Sequence, residues 1–368
     1  MNVANPSRLE RLMPLLESDP SNLSLIADAA ESALDERRPE QALELLDRYG
    51  AIAPLPPRES NLRGLAAMQL QRFDEAAVVF ESLADGGDPG ARFNLAWSRA
   101  MLNDADGALA LLDEDLAHAL PQAAMLKVQL LHSGGEFDVA ADLARVYVER
   151  HPDHRGLLAA VSVLALDIED GELAARCAAA AGDHPDAQTT LGTLALREDR
   201  GGEARDLFDR ALARNAAVPR AWVGRGLARL MSGEADGAAA DIDKGAEMFG
   251  DHLGSWIAAG WAHFVNRDLA AARARFETAL GLDATFAEAH GALAVLDLVE
   301  GRIEEAKRGC EVALRLDREC YSGALARALL AARSGDAAAA QRIFEAALTV
   351  PVDRSGRTIA QAMAKSGL

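Results

Sequence analysis

Two histidines and an aspartate within one four-residue stretch form the group in this sequence that is best suited to chemistry. His151, Asp153 and His154 could bind a transition metal, because imidazole and carboxylate groups are common ligands of such ions. No further ligand-bearing segment accompanies them, and Pro152 is typical of a bend in the chain. We therefore predict a solvated loop at this point and no metal site.

Other acidic and imidazole groups that could act in acid–base catalysis are isolated. Acidic runs at residues 113–115 and 304–305 could supply paired carboxylates, but we expect them on exposed helix faces, where water solvates them. His263 and His290 fall on predicted helix faces that normally carry packing side chains. We assign both imidazoles to the core or its rim.

The three cysteines predict neither a disulfide framework nor a zinc site. Cys177, Cys310 and Cys320 are odd in number and lack CxxC spacing, so isolated thiols in a reducing cytoplasm are expected unless the fold brings Cys310 and Cys320 together. Phosphate-loop, nucleophile-elbow and HExxH motifs are missing, and Gly224 and Gly226 lack the third glycine of a dinucleotide fingerprint. We predict no enzymatic activity, no cofactor and no metal.

Charge and hydropathy exclude two further classes of function. The chain has 38 Lys and Arg against 57 Asp and Glu, a net charge of −19, which disfavours nucleic-acid binding. The longest apolar run, near residues 157–166, is about half of what a membrane-spanning helix needs. Residues 1–11 have no apolar segment behind their arginines, so no secretory signal is expected and we predict a cytoplasmic location.

Alanine recurs at intervals of 30–34 residues and is expected in the helices from which the fold is built. In the clearest copies a phenylalanine follows four residues later, as in Ala204 with Phe208 and Ala272 with Phe276. Including weaker copies, ten alanines stand at intervals of 34, 32, 32, 34, 30, 34, 34, 34 and 34 residues. These alanines occupy positions 42, 76, 108, 140, 174, 204, 238, 272, 306 and 340.

A small residue twelve positions before several of these alanines indicates where two helices cross. Residues 253–266 and 269–282 have helical patterns separated by two residues, and so short a loop makes the helices antiparallel. Gly260 and Ala272 are expected at the crossing, since small side chains allow the backbones to approach. Phe276 is expected to fill the adjoining space.

This pattern resembles the tetratricopeptide repeat, a 34-residue helix-turn-helix unit with Trp and Gly on the first helix and Ala-x3-Phe on the second. The resemblance implies an all-α, right-handed α-solenoid superhelix of about ten repeats with flanking half-repeat capping helices. We expect a capping half-repeat at residues 1–22, irregularly spaced repeats 1–5 at 23–184, regular repeats 6–10 at 185–354, and a capping helix at 355–368. Leu9, Leu12, Met13 and Leu16 share one face of the first cap, as do Ile359 and Met363 of the last.

The resemblance also implies a binding surface, because in similar proteins the first helices line a concave groove that holds a partner segment. Two clusters of partner-binding residues are predicted on these helices. They are Phe93, Asn94, Trp97, Met101, Met125 and Gln129, and Val223, Leu227, Met231, Ile257, Trp261, Phe264, Val265, Val295 and Leu298. The alternative is that some of them, Trp97 and Trp261 included, are core between repeats.

Both clusters are apolar with an aromatic centre, which suits an amphipathic helix or a hydrophobic extended segment. Asn94 matches one position of the family's dicarboxylate clamp, but the lysines of that clamp are missing, which argues against chaperone tails. We predict a non-enzymatic scaffold or adaptor that binds a protein or peptide partner. Two alternatives remain open: a self-associating structural component, and a regulatory or targeting subunit of a separate enzyme such as a transferase.

Overall fold

The computed structural model describes residues 6–348, apart from the side chains of residues 235, 236, 344, 347 and 348. Every regular element among the described residues is an α-helix, and 22 helices follow one another along the chain. The chain divides into two compact units, of which the first ends at Pro152 and the second begins at Asp153. The domain boundary expected at residues 184/185 from the repeat spacing stays a prediction.

The first unit contains ten helices, most of them in antiparallel pairs that are joined by short turns. They are α1 (Arg8–Ser18), α2 (Leu23–Asp35), α3 (Pro39–Gly50), α4 (Pro57–Gln69), α5 (Phe73–Ala84), α6 (Pro89–Met101), α7 (Ala105–Leu111), α8 (Glu114–Ala119), α9 (Pro121–Ser133) and α10 (Phe137–Arg150).

The second unit contains twelve helices within the described range, and these form six consecutive pairs. They are α11 (Arg155–Asp167), α12 (Gly171–Ala181), α13 (Pro185–Arg197), α14 (Gly201–Arg214), α15 (Pro219–Met231), α16 (Ala235–Phe249), α17 (Leu253–Val265), α18 (Leu269–Leu282), α19 (Ala287–Val299), α20 (Ile303–Leu316), α21 (Tyr321–Arg333) and α22 (Ala337–Leu348).

The turn between the two helices of a pair has the same backbone geometry in all ten repeats. One residue in each turn has a positive φ, and it stands five positions before the repeating alanine. The following N–H then bonds back across the turn, as from Asp268 to His263 and from Arg302 to Asp297, which closes the first helix with a Schellman motif. The residues with positive φ are Arg37, Gln71, Asn103, Gly135, Glu169, Asp199, Gly233, Arg267, Gly301 and Gly335. The repeat register predicted from the alanines is therefore confirmed.

Proline marks the start of several first helices. Pro57, Pro89, Pro121, Pro185 and Pro219 each occupy the first helical residue of α4, α6, α9, α13 and α15. Proline suits this position because its missing N–H would have no partner within the helix and its fixed φ is helical. In this chain the prolines therefore stand at the start of the repeats. The tetratricopeptide pattern has its proline at the end of each repeat.

In three pairs the helices cross where a glycine faces a buried phenylalanine, and one of these is the predicted crossing of Gly260 with Phe276. Ala272 and Phe276 are fully buried, and a Cβ atom at Gly260 would overlap the ring of Phe276. The same arrangement joins Gly192 to Phe208, where a Cβ would lie 2.8 Å from the ring. Since the ring occupies the space that a side chain would need, glycine is required at the crossing.

The acidic run at residues 113–115 is exposed, as predicted, but Asp113 lies before a helix and not on a helix face. The second helix of this repeat is interrupted, and Asp113 stands between α7 and α8. Its carboxylate accepts a hydrogen bond of 2.9 Å from the N–H of Leu116 and thereby caps α8. Aspartate is a preferred N-cap because its short side chain reaches an unpaired N–H of the first turn.

The helix α1 packs against α2 as the expected N-terminal cap, with Leu9 and Leu16 buried and Leu12 and Met13 half-buried. The capping helix expected at residues 355–368, with Ile359 and Met363, lies outside the described residues. Within the described part of the chain, no helix is both long and apolar enough to span a membrane.

Replacing Gly260 with alanine should lower the free energy of unfolding by about 1–3 kcal/mol, because the added methyl group overlaps the buried ring of Phe276. Urea unfolding followed by circular dichroism measures this change. Gly281 in α18 is the matched control, since a Cβ there meets no atom within 4 Å. Gly281→Ala should be neutral or stabilising; an equal loss in both variants would contradict the tight crossing.

Candidate functional site

An apolar stripe follows the ends of three consecutive first helices in the second unit. Met231, Val265 and Val299 are the last residues of α15, α17 and α19 and occupy the same repeat position. Their exposed fractions are 47%, 60% and 53%. We call these three residues the helix-end stripe. The equivalent residue of α21 is Arg333, so the stripe ends there on a charged side chain.

Apolar side chains one turn earlier form the base of this surface. Leu227 precedes Met231 by four residues and is exposed, and Trp261 precedes Val265 by the same spacing and is half-buried. Residues four apart lie on one face of a helix, so each pair presents a continuous apolar surface. Ile257 and Phe264 of α17 are also half-buried.

Trp261 contributes both to this surface and to the packing between repeats. Its ring meets Phe264 edge-on at a centroid distance of 5.4 Å and Phe276 at 5.3 Å. It packs against the buried clusters that contain Leu296 and Val295 of α19. The two interpretations left open by the sequence therefore both apply in part, because the indole packs against the core and is also partly exposed.

Val295 and Leu298 were predicted in the groove, and the structure contradicts this. Both are buried, Val295 in a cluster with Ala294, Cys310 and Ala326. The reason is that α19 is covered by α20 and α21 as well as by α17. Val299, one residue further on, is the exposed member of the stripe. Its signal in the sequence is the 34-residue spacing from Val265.

The predicted residues of the first unit are less exposed. Phe93 and Trp97 are half-buried, lie 6.3 Å apart between ring centroids, and pack against the core shared by α6, α7 and α9. Met101, at the end of α6, is exposed and is the first unit's equivalent of the helix-end stripe. The other predicted residues of the first unit differ in exposure: Gln129 is exposed, whereas Asn94 and Met125 are half-buried. Val223 of the second unit is also half-buried.

Ion pairs fix the first helices against their neighbours. The guanidinium of Arg225 in α15 makes a two-pronged contact with Asp241 in α16, at 2.6 and 2.8 Å, and stacks 4.6 Å over Trp222. Arg229 also reaches Asp241, at 2.7 Å. Asp241 is buried, and these two arginines neutralise its charge.

Asp243 joins three helices in the same way. It accepts hydrogen bonds from His263 of α17 at 2.8 Å and from Arg275 of α18 at 2.7 and 2.9 Å. Burial by itself would raise the pKa of Asp243, but the bonds and charges of Arg275 and His263 outweigh it, and the pKa is lowered. The carboxylate is thus ionised at neutral pH.

A third carboxylate, Asp297 of α19, is bonded to Arg273 at 2.6 Å and to Arg302 at 2.8 Å. Burial dominates here and raises the pKa of Asp297, although Arg273 opposes the effect. The three aspartates lie at successive junctions from α15 to α20. They hold the helices that carry the stripe in a fixed rotation.

The groups that first suggested chemistry have structural partners. His151 bonds to the carbonyl of Ala117 at 2.9 Å, and His154 caps α11 by accepting from Leu157. His290 bonds to the carbonyl of Ala284, also at 2.9 Å. In the described part of the chain, no three His, Cys, Asp or Glu side chains are grouped to hold a metal ion.

The three cysteines are free and buried. Burial raises the pKa of each thiol, that of Cys320 to about 12, so none is a thiolate at neutral pH.

Comparison with known proteins finds a matching repeat profile and two solved structures of helical-repeat shape. The sequence profile of the tetratricopeptide repeat matches residues 27–92 and 189–251. A monomeric IFIT1 mutant with Gppp-AAAA has a similar structure, with 11% identity over 92% of this chain and 93% of that chain and a TM-score of 0.53. The APC/C hetero-tetramer Cut9–Hcn1 matches with 13% identity over 92% of this chain and 89% of that one, at a TM-score of 0.43. A search of curated proteins finds no relative.

The tandem helix pairs and their ten equivalent turns define a helical-repeat protein. More particularly, two parts of the chain match the profile of the tetratricopeptide-repeat family, and its tandem helix pairs form a solenoid of such repeats. Proteins of this family bind other proteins.

Replacing Trp261 with alanine should lower the free energy of unfolding by about 1–3 kcal/mol, less than for a fully buried tryptophan, because the indole is only partly buried. Val265→Ala on the same helix should change it by less than about 0.5 kcal/mol, since that side chain is exposed. Chemical unfolding of both variants tests the assignment. Equal stability of the two would place Trp261 wholly on the surface.

Asp243→Asn should destabilise the protein at pH 7 by about 1–3 kcal/mol, because it removes the charge that Arg275 and His263 bind. Since the pKa of Asp243 is lowered by folding, its contribution is present above the unfolded value and is lost as the pH falls below about 4. The difference in unfolding free energy between the two proteins should therefore shrink in acid. Asp209→Asn, at an exposed partner of Arg225, is the control and should cost less than about 1 kcal/mol.

Proposed function

We propose that this protein is a non-enzymatic scaffold that binds an apolar segment of a partner protein along the helix-end stripe. The observation that carries this proposal is the exposure of Met231, Val265 and Val299 at one position of three consecutive repeats. Single exposed apolar residues are common on protein surfaces, whereas a row that recurs with the repeat presents a continuous surface.

The side chains of the surface suit an amphipathic helix or a hydrophobic extended segment. Met231 adapts its shape to irregular partners, and the exposed part of Trp261 provides an aromatic anchor of the kind that contributes most at interfaces. Burial of apolar area would supply the affinity, at roughly 25 cal/mol for each Å² removed from water. Because the ion pairs hold α15, α17 and α19 in place, binding would require little ordering of the scaffold.

The acidic and imidazole groups nearest to the stripe are engaged in structure. His263 and Asp243 are bonded to each other, and Arg275 completes the group. In a scaffold, such bonded side chains hold the helices in place. Their structural role therefore supports a protein that binds a partner and does not catalyse a reaction. We also propose a cytoplasmic location, since the cysteines are buried and unpaired, as expected in a reducing compartment.

The double variant Met231→Glu with Val265→Glu should lose partner binding at unchanged stability, because two exposed apolar contacts are replaced by charges. The control is Leu282→Glu, an equally exposed leucine (47%) at the end of the second helix α18. Wild type, double variant and control are used as baits in cell extract, after circular dichroism has shown each to be folded. Captured proteins are identified by mass spectrometry, and binding is repeated with the purified partner.

Proteins retained by the wild type and by Leu282→Glu but lost by the double variant would support the stripe as the binding surface. Identical protein sets from all three baits would refute it. If the wild type captures only further copies of itself, or a single enzyme whose activity it alters, self-assembly or a regulatory subunit replaces the scaffold proposal.

A further inference from the structure

The ninth repeat has a cysteine at the position where three other repeats have a buried phenylalanine. Phe80, Phe208 and Phe276 are fully buried at the helix crossing of their repeats, but 34 residues after Phe276 the chain has Cys310. This thiol is buried and donates a hydrogen bond to the carbonyl of Gly323 at 3.4 Å. A cysteine fills far less space than a phenylalanine, so the crossing of α19 and α20 lacks an aromatic ring.

The next first helix, α21, is held tightly against α19. Gly291 of α19 lies directly on the backbone of Gly323, where even a methyl group would overlap. Glu288 of α19 accepts hydrogen bonds from the N–H of Tyr321 at 2.7 Å and from that of Ser322, and thus caps the start of α21. These contacts bind α21 to α19 and leave space between α20 and the far part of α21.

That space consists of two adjoining cavities of about 540 and 460 Å³, which share Lys307, Arg327 and Leu330. We call them together the α20–α21 cavity. Its apolar floor is formed by Cys310 and Leu314 from α20 and by Leu330 from α21. A large apolar side chain could occupy this floor in place of the ring that the repeat lacks.

The rim of the cavity is cationic in a chain whose net charge is −19. Five basic side chains line it, against one carboxylate, that of Glu311; the five are Lys307, Arg315, Arg318, Arg327 and Arg333. Lys307 bonds to Glu304 at 2.8 Å. Among the described residues, the four arginines have no ion-pair partner. By contrast, Arg225, Arg229, Arg273 and Arg275 of the same unit each pair with an aspartate.

We propose that the α20–α21 cavity binds an acidic segment of a partner protein, which places a large apolar side chain on the floor and its carboxylates on the arginine rim. Arginine binds carboxylates through two parallel hydrogen bonds, and the four rim arginines pair with no carboxylate of the described residues. An inorganic anion would use the rim alone and leave the apolar floor empty. The chain's own residues 349–368 are not complementary, because they carry Arg354, Arg357 and Lys365 against Asp353.

This site is separate from the helix-end stripe, although Arg333 occupies the repeat position that follows Val299. The proposal does not depend on the proposed function. A protein could bind an acidic segment here and carry nothing on the stripe, or the reverse.

The test measures binding of a fluorescein-labelled peptide, DEDLEFDE, to the full chain by fluorescence anisotropy. Two matched peptides separate the contributions: NQNLQFNQ keeps the apolar residues without charge, and DEDSESDE keeps the charge without them. The first peptide should bind at least about tenfold more tightly than either of the others. Raising the salt concentration should weaken its binding, since the rim is exposed.

The decisive variant is Arg315→Glu with Arg327→Glu, which reverses two rim charges on exposed side chains and should lower the affinity for DEDLEFDE by more than about tenfold. Arg308→Glu is the control on the same helix: Arg308 is exposed, pairs with Glu305 and lies outside the cavity. Its affinity should be unchanged. The stripe variant Met231→Glu with Val265→Glu should also bind the peptide normally, so failure of one proposal is distinguishable from failure of the other.

Equal loss of affinity in the rim variant and in Arg308→Glu would contradict the proposed site. Equal binding of DEDLEFDE and DEDSESDE would also contradict it, because the apolar floor would then contribute nothing to binding. No binding of DEDLEFDE by the wild type would overturn it too. Sedimentation of the protein without peptide tests whether a second copy of this chain occupies the cavity. A dimer that the rim variant abolishes would assign the cavity to the acidic surface of a second copy and so replace the proposal.

Discussion

The close crossing of two helices within each repeat is the contact on which the rest of this structure depends. A helix of about thirteen residues is not stable alone, and it becomes so by burying one face against its partner. Gly260 lets the backbones approach, Ala272 keeps the crossing narrow, and Phe276 fills the remaining space. Because the ring meets the glycine directly, the first helix cannot rotate about its axis. The residues that it exposes are therefore determined by the same contact.

Buried aspartates add directional constraints to this apolar contact. Asp241, Asp243 and Asp297 each bind cationic partners from neighbouring helices. Breaking such a partly buried group leaves an unpaired charge, so the arrangement favours one helix orientation over others. Hydrophobic packing alone tolerates small rotations, whereas a two-pronged arginine contact does not. Together they keep Met231, Val265 and Val299 in a row.

The crossing of the ninth repeat has Cys310 at the position of Phe276 in the eighth. Gly291, Gly323 and Glu288 hold α21 against α19, and a cavity lies between α20 and α21. This cavity brings an apolar floor together with arginines that pair with no carboxylate among the described residues.

The repeat, its register and the crossing follow from the amino-acid sequence, because each depends on residues close together in the chain: the alanine, the phenylalanine four positions later and the glycine twelve positions before. The resemblance to the tetratricopeptide repeat follows from the same pattern. Which side of each first helix is covered depends instead on tertiary packing. Val295 and Leu298 have the same repeat positions as Trp261 and Phe264, yet they are buried, since α21 packs onto α19. The break at Asp113 and the cavity beside Cys310 were likewise not predictable, because helix capping competes with helix continuation and a void depends on how several distant side chains fill one space. Exposure is a property of neighbours that are remote in sequence, and periodicity does not encode it.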